Sequence, residues 1–207
     1  MPFKQKLIKK VDYLDKISKV TGSINTILKK NNKLYGYNTD YYALKRVLQE
    51  TRINKNKIKV LLLGNGGVAK TSFQVLKDLN FNQINLSSRK LLKYKNWIKN
   101  KNCKFINWID RNKIEADLLI NCTPIGMKKS DYDYSPLSKD AIKSYNTIID
   151  FPVNENQNKL EKIAEHNRIN YISGYRLSFY QGLKQFSIYT KKKLNEKIIK
   201  KILKIKC

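Results

Sequence analysis

Lys59-Val60-Leu61-Leu62-Leu63-Gly64-Asn65-Gly66-Gly67-Val68-Ala69-Lys70 is the stretch that decides the fold. A continuous apolar run ends in a glycine-rich turn, and the turn opens a helical pattern. A strand, such a turn and a helix make the first unit of a Rossmann-type sheet, where the backbone meets a dinucleotide pyrophosphate. Gly64 permits the tight turn and Gly66 the close approach of backbone to phosphate. Asn65, Gly67 and Val68 carry the chain into the helix. The helix start offers free N–H groups and a partial positive charge to an anion.

Downstream, strand and helix patterns alternate. Strands are expected over 57–63, 83–87, 104–108, 116–121, 147–150 and 169–172, with helices over 68–79, 91–99 and 158–166. This alternation implies a parallel sheet with right-handed crossovers. Two helices, over about 177–191 and 195–205, close the chain. Upstream, Leu7, Ile8, Val11, Leu14 and Ile17 recur at helical spacing, so an amphipathic helix is expected over 4–19. Short β runs over 23–28 and 34–37 flank a hairpin loop at Lys29–Lys33. Thr39 reads as the N-cap of a helix running to about Glu50. Residues 54–57, Asn-Lys-Asn-Lys, form a polar joint.

The 207 residues carry 41% hydrophobic residues, enough to bury a core. No apolar run approaches the roughly 18 residues of a membrane span. The N-terminal stretch lacks the apolar core of a signal peptide. Cys103, Cys122 and Cys207 are widely spaced and odd in number, which fits a reducing cytoplasm and argues against both a disulfide framework and a metal site. His166 stands alone, so no histidine metal cluster is expected. The net charge of +27 would suit nucleic acid. Yet lysine is spread along the whole chain with abundant Asn and Ile. This reads as a coding bias rather than a phosphate-backbone patch, so no specific nucleic-acid partner is expected.

The second strand of the glycine-turn domain ends Leu86-Ser87-Ser88-Arg89-Lys90. An NAD site places an acid there for the ribose 2′-hydroxyl. None is present, whereas Ser88, Arg89 and Lys93 suit a 2′-phosphate, which points to NADP.

Several separated motifs resemble the shikimate dehydrogenase family. Pro2-Phe3-Lys4 is similar to the end of its N-V-T-x-P-x-K segment. Gly22-Ser23-Ile24-Asn25-Thr26 is similar to G-A-V-N-T, and Gly36-Tyr37-Asn38-Thr39-Asp40 to G-x-N-T-D. Asn121-Cys122-Thr123-Pro124-Ile125-Gly126-Met127 is similar to N-x-T-P-x-G-M. The spacing from Gly174 to Gln181 matches the family's C-terminal segment. The resemblance implies an α/β chain in four parts: residues 1–40 a partial α/β substrate domain, 41–56 a connecting helix and joint, 57–173 a Rossmann-type parallel-sheet NADP domain, and 174–207 helices returning to the first. It implies NADP-linked reduction of 3-dehydroshikimate to shikimate, in chorismate and aromatic amino-acid biosynthesis. Lys4 and Asp40 match the family's catalytic pair, with Asp40 orienting Lys4 and Lys4 carrying the proton. Asn25 and Gln181 would bind substrate, while Thr123, Phe151 and Gly174 would adjoin the cofactor.

Two departures qualify this. Met1 falls inside the family's N-V-T-x-P-x-K segment, so the preceding part, with a serine pair for the substrate carboxylate, lies outside the match. The chain alone is therefore expected to be weakly active or inactive, and to pair with a second copy or with a chain supplying that part. Val153 and Glu155 stand where the family has Tyr and Pro, and that Tyr contacts substrate. A quinate-type NAD dehydrogenase and an inactive dinucleotide-binding fragment are the alternatives.

Overall fold

The computed structural model describes residues 3–51, 53, 57–90 and 103–202. The chain forms two units, one of Met1–Thr51 with Tyr175–Cys207 and one of Arg52–Gly174.

In the first unit, β1 (Tyr13–Leu14), β2 (Thr26–Lys30) and β3 (Lys33–Tyr37) form a sheet of order β1-β3-β2. The helix expected over 4–19 is not formed. A 3-10 turn over Lys6–Lys10 leads instead into β1, and α1 spans only Lys16–Thr21. The reason is a long-range pairing. Tyr13 and Leu14 run parallel to Tyr35 and Gly36, and the Asp12 carboxylate accepts the Leu34 amide at 2.7 Å. Asp15 then caps α1 by accepting the Ser18 amide at 2.7 Å. Helical spacing of apolar residues was overridden by strand partners that periodicity does not see.

The hairpin loop is tighter than expected. Lys30 pairs with Lys33, and only Asn31 (φ 48°) and Asn32 (φ 58°) turn the chain. Two left-handed residues make the type I′ turn that suits twisted strands. Helix α2 (Thr39–Glu50) is capped by Asn38, whose side chain accepts the Tyr41 amide, so Thr39 is the first helical residue rather than the cap. Its buried face includes Ala43, Leu44, Val47 and Leu48.

Among the described residues, the second unit holds six parallel strands: β4 (Lys59–Leu63), β5 (Gln83–Ser88), β6 (Cys103–Asn107), β7 (Leu118–Asn121), β8 (Thr147–Asp150) and β9 (Asn170–Ile172). Their order, β6-β5-β4-β7-β8-β9, reverses direction between β4 and β7. Such a switch point opens a crevice beyond the carboxyl ends of the strands. Val60–Leu63, Leu118–Ile120 and Ile148–Ile149 are fully buried, as parallel strands covered on both faces require. Helices α3 (Gly67–Asp78), α4 (Lys139–Ile142) and α5 (Lys159–His166) complete the unit. The four-residue α4 carried no readable signal in the sequence. The helix expected over 91–99 lies outside the described residues. Helices α6 (Gly174–Thr190) and α7 (Glu196–Ile202) follow, within the first unit from Tyr175 onward.

Candidate functional site

Two sites arise, one in each unit. In the first, the Lys4 ammonium contacts one carboxylate oxygen of Asp40, and the pair is shielded, with side-chain exposures of 13% and 6%. Asp40 sits in the first turn of α2, where a carboxylate also favours the helix dipole. The other Asp40 oxygen accepts the Asn25 amide Nδ2 at 2.8 Å.

Asn25 is itself locked. Its Oδ1 accepts the Thr39 backbone N–H at 2.8 Å, the Thr39 hydroxyl at 3.0 Å and the Thr26 hydroxyl at 3.2 Å. With every donor on the oxygen side, only Nδ2 is left to face Asp40. Gln185 on α6 extends the chain of contacts by donating to the Thr26 hydroxyl at 3.0 Å. The sequence offers Thr39 only as a helix cap and gives Thr26 and Gln185 no separate role, because each reads alone as an ordinary polar residue. Lys4, Asn25 and Gln181 line one cavity of about 280 Å³ with Phe3, Leu7, Ile24 and Ile27. A cation, an amide and a carboxamide thus converge in an otherwise apolar pocket, an arrangement that orients a small polar ligand.

In the second unit, a cleft of about 550 Å³ opens at the switch point between β4 and β7. Gly64, Asn65, Gly66, Ser88, Arg89 and Thr123 all line it. Gly64 has φ 114°, and a Cβ there would meet the Cys122 carbonyl oxygen at 3.0 Å, so only glycine fits. Gly66 is the N-cap residue before α3 and offers no side-chain hydrogen bond, and a Cβ on it would meet nothing within 4 Å. The residue at the cap thus supplies no side-chain acceptor to the first N–H groups of the helix, with Gly67 and Val68 in the first turn. Asn65 Nδ2 donates to the Lys90 carbonyl at 3.2 Å, tying the glycine turn to the exit of β5. The Ser88 hydroxyl accepts the Lys90 amide at 3.3 Å. Among the described residues, the lining carries Arg89 and Lys90 and no carboxylate. A dinucleotide with a 2′-phosphate fits this donor set, whereas a bare ribose diol lacks its acidic partner. Lys93 lies outside the described residues. Trp108, just after β6, also lines the cleft and was missed, as was Cys122.

Thr123 is held from behind. Its N–H and hydroxyl both donate to Asn121 Oδ1, at 3.0 and 2.7 Å. Asn121 Nδ2 donates to the fully buried Asp150 at 2.7 Å. Asp150 also accepts Asn158 Nδ2 at 3.0 Å and the Tyr171 hydroxyl at 2.7 Å. Burial pushes the Asp150 carboxyl up to about 6, against the pull of these three hydrogen bonds. Phe151 and Gly174 adjoin each other but are not among the residues lining the cleft. A Cβ on Gly174 would fall 2.2 Å from the Pro152 carbonyl oxygen and 2.7 Å from that of Phe151. Asn158 caps α5 by accepting the Glu161 amide at 2.9 Å.

A parallel sheet of this order with an uncapped glycine turn at its switch point defines a dinucleotide-binding protein of the Rossmann type. Comparison with known proteins narrows the class. The NADP⁺ shikimate dehydrogenase of Clostridium beijerinckii is 32% identical over 198 residues, covering 96% of this chain and 73% of the relative. That of Clostridium perfringens strain 13 is 31% identical, covering 100% and 77%. The crystal structure of shikimate dehydrogenase 1 from Peptoclostridium difficile superposes with a TM-score of 0.87 at 28% identity, covering 99% of this chain and 74% of that one. A shikimate dehydrogenase solved in complex with NADP⁺ gives a TM-score of 0.83 at 25% identity, covering 100% and 75%. No family model matches the chain. The chain belongs to the shikimate dehydrogenase family. Among the described residues, no helix is long and apolar enough to cross a membrane, and no group of side chains could hold a metal ion.

Proposed function

We propose that this protein reduces 3-dehydroshikimate to shikimate with NADPH. The observation that carries this reading is the shielded Lys4–Asp40 pair, held by Asn25 in a cavity that Gln181 also lines. Two relatives named NADP⁺ shikimate dehydrogenase and one solved complex with NADP⁺ support the same chemistry.

NADPH, when bound, supplies the hydride that reaches the carbonyl carbon. The chain's own residues do the rest. Lys4 donates the proton that the carbonyl oxygen takes up as that oxygen gains charge. Asp40 holds the ammonium in position, and Asn25 fixes Asp40 in turn. Asn25 and Gln181 offer amide groups to substrate hydroxyls. The start of α3 receives the pyrophosphate, with Asn65, Gly66, Gly67 and Val68 at the turn. Ser88, Arg89 and Lys93 take the 2′-phosphate. Thr123 adjoins the nicotinamide end from the cleft lining, and Phe151 and Gly174 flank it from outside that lining. The substrate is a small anion, and the +27 net charge favours its approach. The protein works in the cytoplasm, as a homodimer.

Initial rates of NADP⁺ reduction with shikimate, with quinate, and with NAD⁺ in place of NADP⁺ test the reading. Shikimate with NADP⁺ is expected to give the highest kcat/KM. Faster quinate oxidation with NAD⁺ would replace it with the quinate-type reading. NADPH binding without turnover would identify an inactive nucleotide-binding protein.

A further inference from the structure

The nucleotide cleft is lined by a loop whose anchor lies out of reach of any ligand. Asp150 ends β8, is fully buried and meets three donors. An ionised carboxylate only accepts hydrogen bonds. Each amide facing it must therefore turn its NH₂ inward and its oxygen outward. Asn121 obeys, and its outward oxygen takes both the N–H and the hydroxyl of Thr123. Asn158 obeys as well, and its outward oxygen caps α5 at Glu161. The same Asn158 side chain packs on Gly126, where a Cβ would lie 3.0 Å from Nδ2. Gly126 closes the loop that begins at Asn121.

We propose that Asp150 is the positioning residue of the nucleotide cleft: it dictates the amide orientation of Asn121 and Asn158 and so seats the Thr123–Gly126 loop for nucleotide binding. The proposal rests on the NADP reading of the cleft for its binding readout, but not for its structural one.

The arrangement makes one substitution decisive. In Asp150→Asn, one oxygen becomes an NH₂. Asn158 and Tyr171 share one carboxylate oxygen, and Asn121 has the other to itself. The amide oxygen replaces the shared one, so the new NH₂ faces the NH₂ of Asn121. Asn121 must flip, which turns its own NH₂ towards the Thr123 N–H and leaves that donor without an acceptor. The charge-conserving swap Asn121→Asp/Asp150→Asn repairs every contact. The carboxylate now at 121 accepts the amide at 150 and both Thr123 donors, while the oxygen at 150 still serves Asn158 and Tyr171.

The experiment measures NADPH binding by fluorescence, and amide hydrogen exchange of the nucleotide-free protein, at pH 7.5 and fixed salt. Asp150→Asn is expected to weaken NADPH about tenfold, the worth of one buried hydrogen bond. Its exchange should rise over residues 121–126 and not over β4 and β5. The double variant should recover affinity to within about threefold and restore protection of the loop. Unchanged affinity and protection in Asp150→Asn overturns the proposal, and so does a double variant no better than the single. Should Asp150→Asn not fold, the double variant decides alone, since only the proposed orientation predicts that it resembles the wild type. Absence of NADPH binding by the wild type would remove the NADP reading, while loop exchange in the same variants still decides the role of Asp150.

Discussion

Removing the Lys4 ammonium leaves a charge that the fold has already shielded. Lys4→Met keeps the length and apolar stem of the side chain but leaves the Asp40 carboxylate with Asn25 Nδ2 as its hydrogen-bond donor. Breaking a buried ion pair by deleting one partner costs about 3–5 kcal/mol. The side chains here retain 13% and 6% of their exposure, so some water reaches the pair. The expected loss is therefore at the lower end, about 3 kcal/mol. For a chain of this length it corresponds to a fall in Tm of roughly 6–12 °C. Lys4→Met/Asp40→Asn removes both charges and keeps an acceptor for Asn25. It should recover most of the loss and come within about 1 kcal/mol of the wild type, because the uncompensated charge is gone. Urea unfolding followed by circular dichroism, with Tm as a second measure, reads Lys4→Met, Asp40→Asn and the double variant. If the double variant loses the sum of the two single losses, the side chains do not interact and the site geometry argued here is wrong.

Arg89→Ala should weaken NADPH by about 10- to 100-fold and leave NADH nearly unchanged, since a charge-assisted hydrogen bond contributes about 1.5–3 kcal/mol; parallel titrations at fixed salt check this. Gly174→Ala drives a methyl group into the Pro152 and Phe151 carbonyls, and the backbone shift should cost at least about 2 kcal/mol in urea unfolding. The pH dependence of stability should carry the mark of Asp150. Its folded-state value of about 6 lies above the ordinary 3.8, so the folded form holds the proton more readily than the unfolded one. This group therefore makes the fold less stable as pH climbs from about 4 to about 6, and its contribution is level above that, a span of about 3 kcal/mol. Stability curves of the wild type and Asp150→Asn should diverge across that window and run parallel above it. Parallel curves throughout would show that Asp150 does not titrate there.

The second unit was legible because its strands announce themselves. Val60–Leu63 and Leu118–Asn121 are unbroken runs bounded by glycine, proline or polar residues, and burial on both faces demands that pattern. The glycine turn fixed where the cleft would open, and the acid-free end of β5 was visible as residues 86–90. The first unit was harder. The apolar spacing of Leu7, Val11 and Leu14 looked helical, but Leu14 is a strand residue paired with Gly36, twenty-two positions away. Local periodicity holds no information about such a partner. Capping was misplaced by one residue for a similar reason: Asn38 and Thr39 both suit a cap, and the oxygen of Asn25 claims the Thr39 donors. The Asp150 network was invisible because Asn121, Asp150, Asn158 and Tyr171 lie on four separate elements. Each reads alone as a strand end or a cap, and only the fold reveals that three donors face one carboxylate.

The most direct test of the account is the rate of shikimate-dependent NADP⁺ reduction in Lys4→Ala, Asp40→Asn and their double variant, with NADPH affinity measured on the same samples. A pair acting as one acid–base unit predicts that each single variant loses roughly 10²–10⁴ in turnover. The double variant should then be little worse than the poorer single, with NADPH affinity held. Losses that multiply, or full turnover in Lys4→Ala, would contradict the assignment of the reaction to this site.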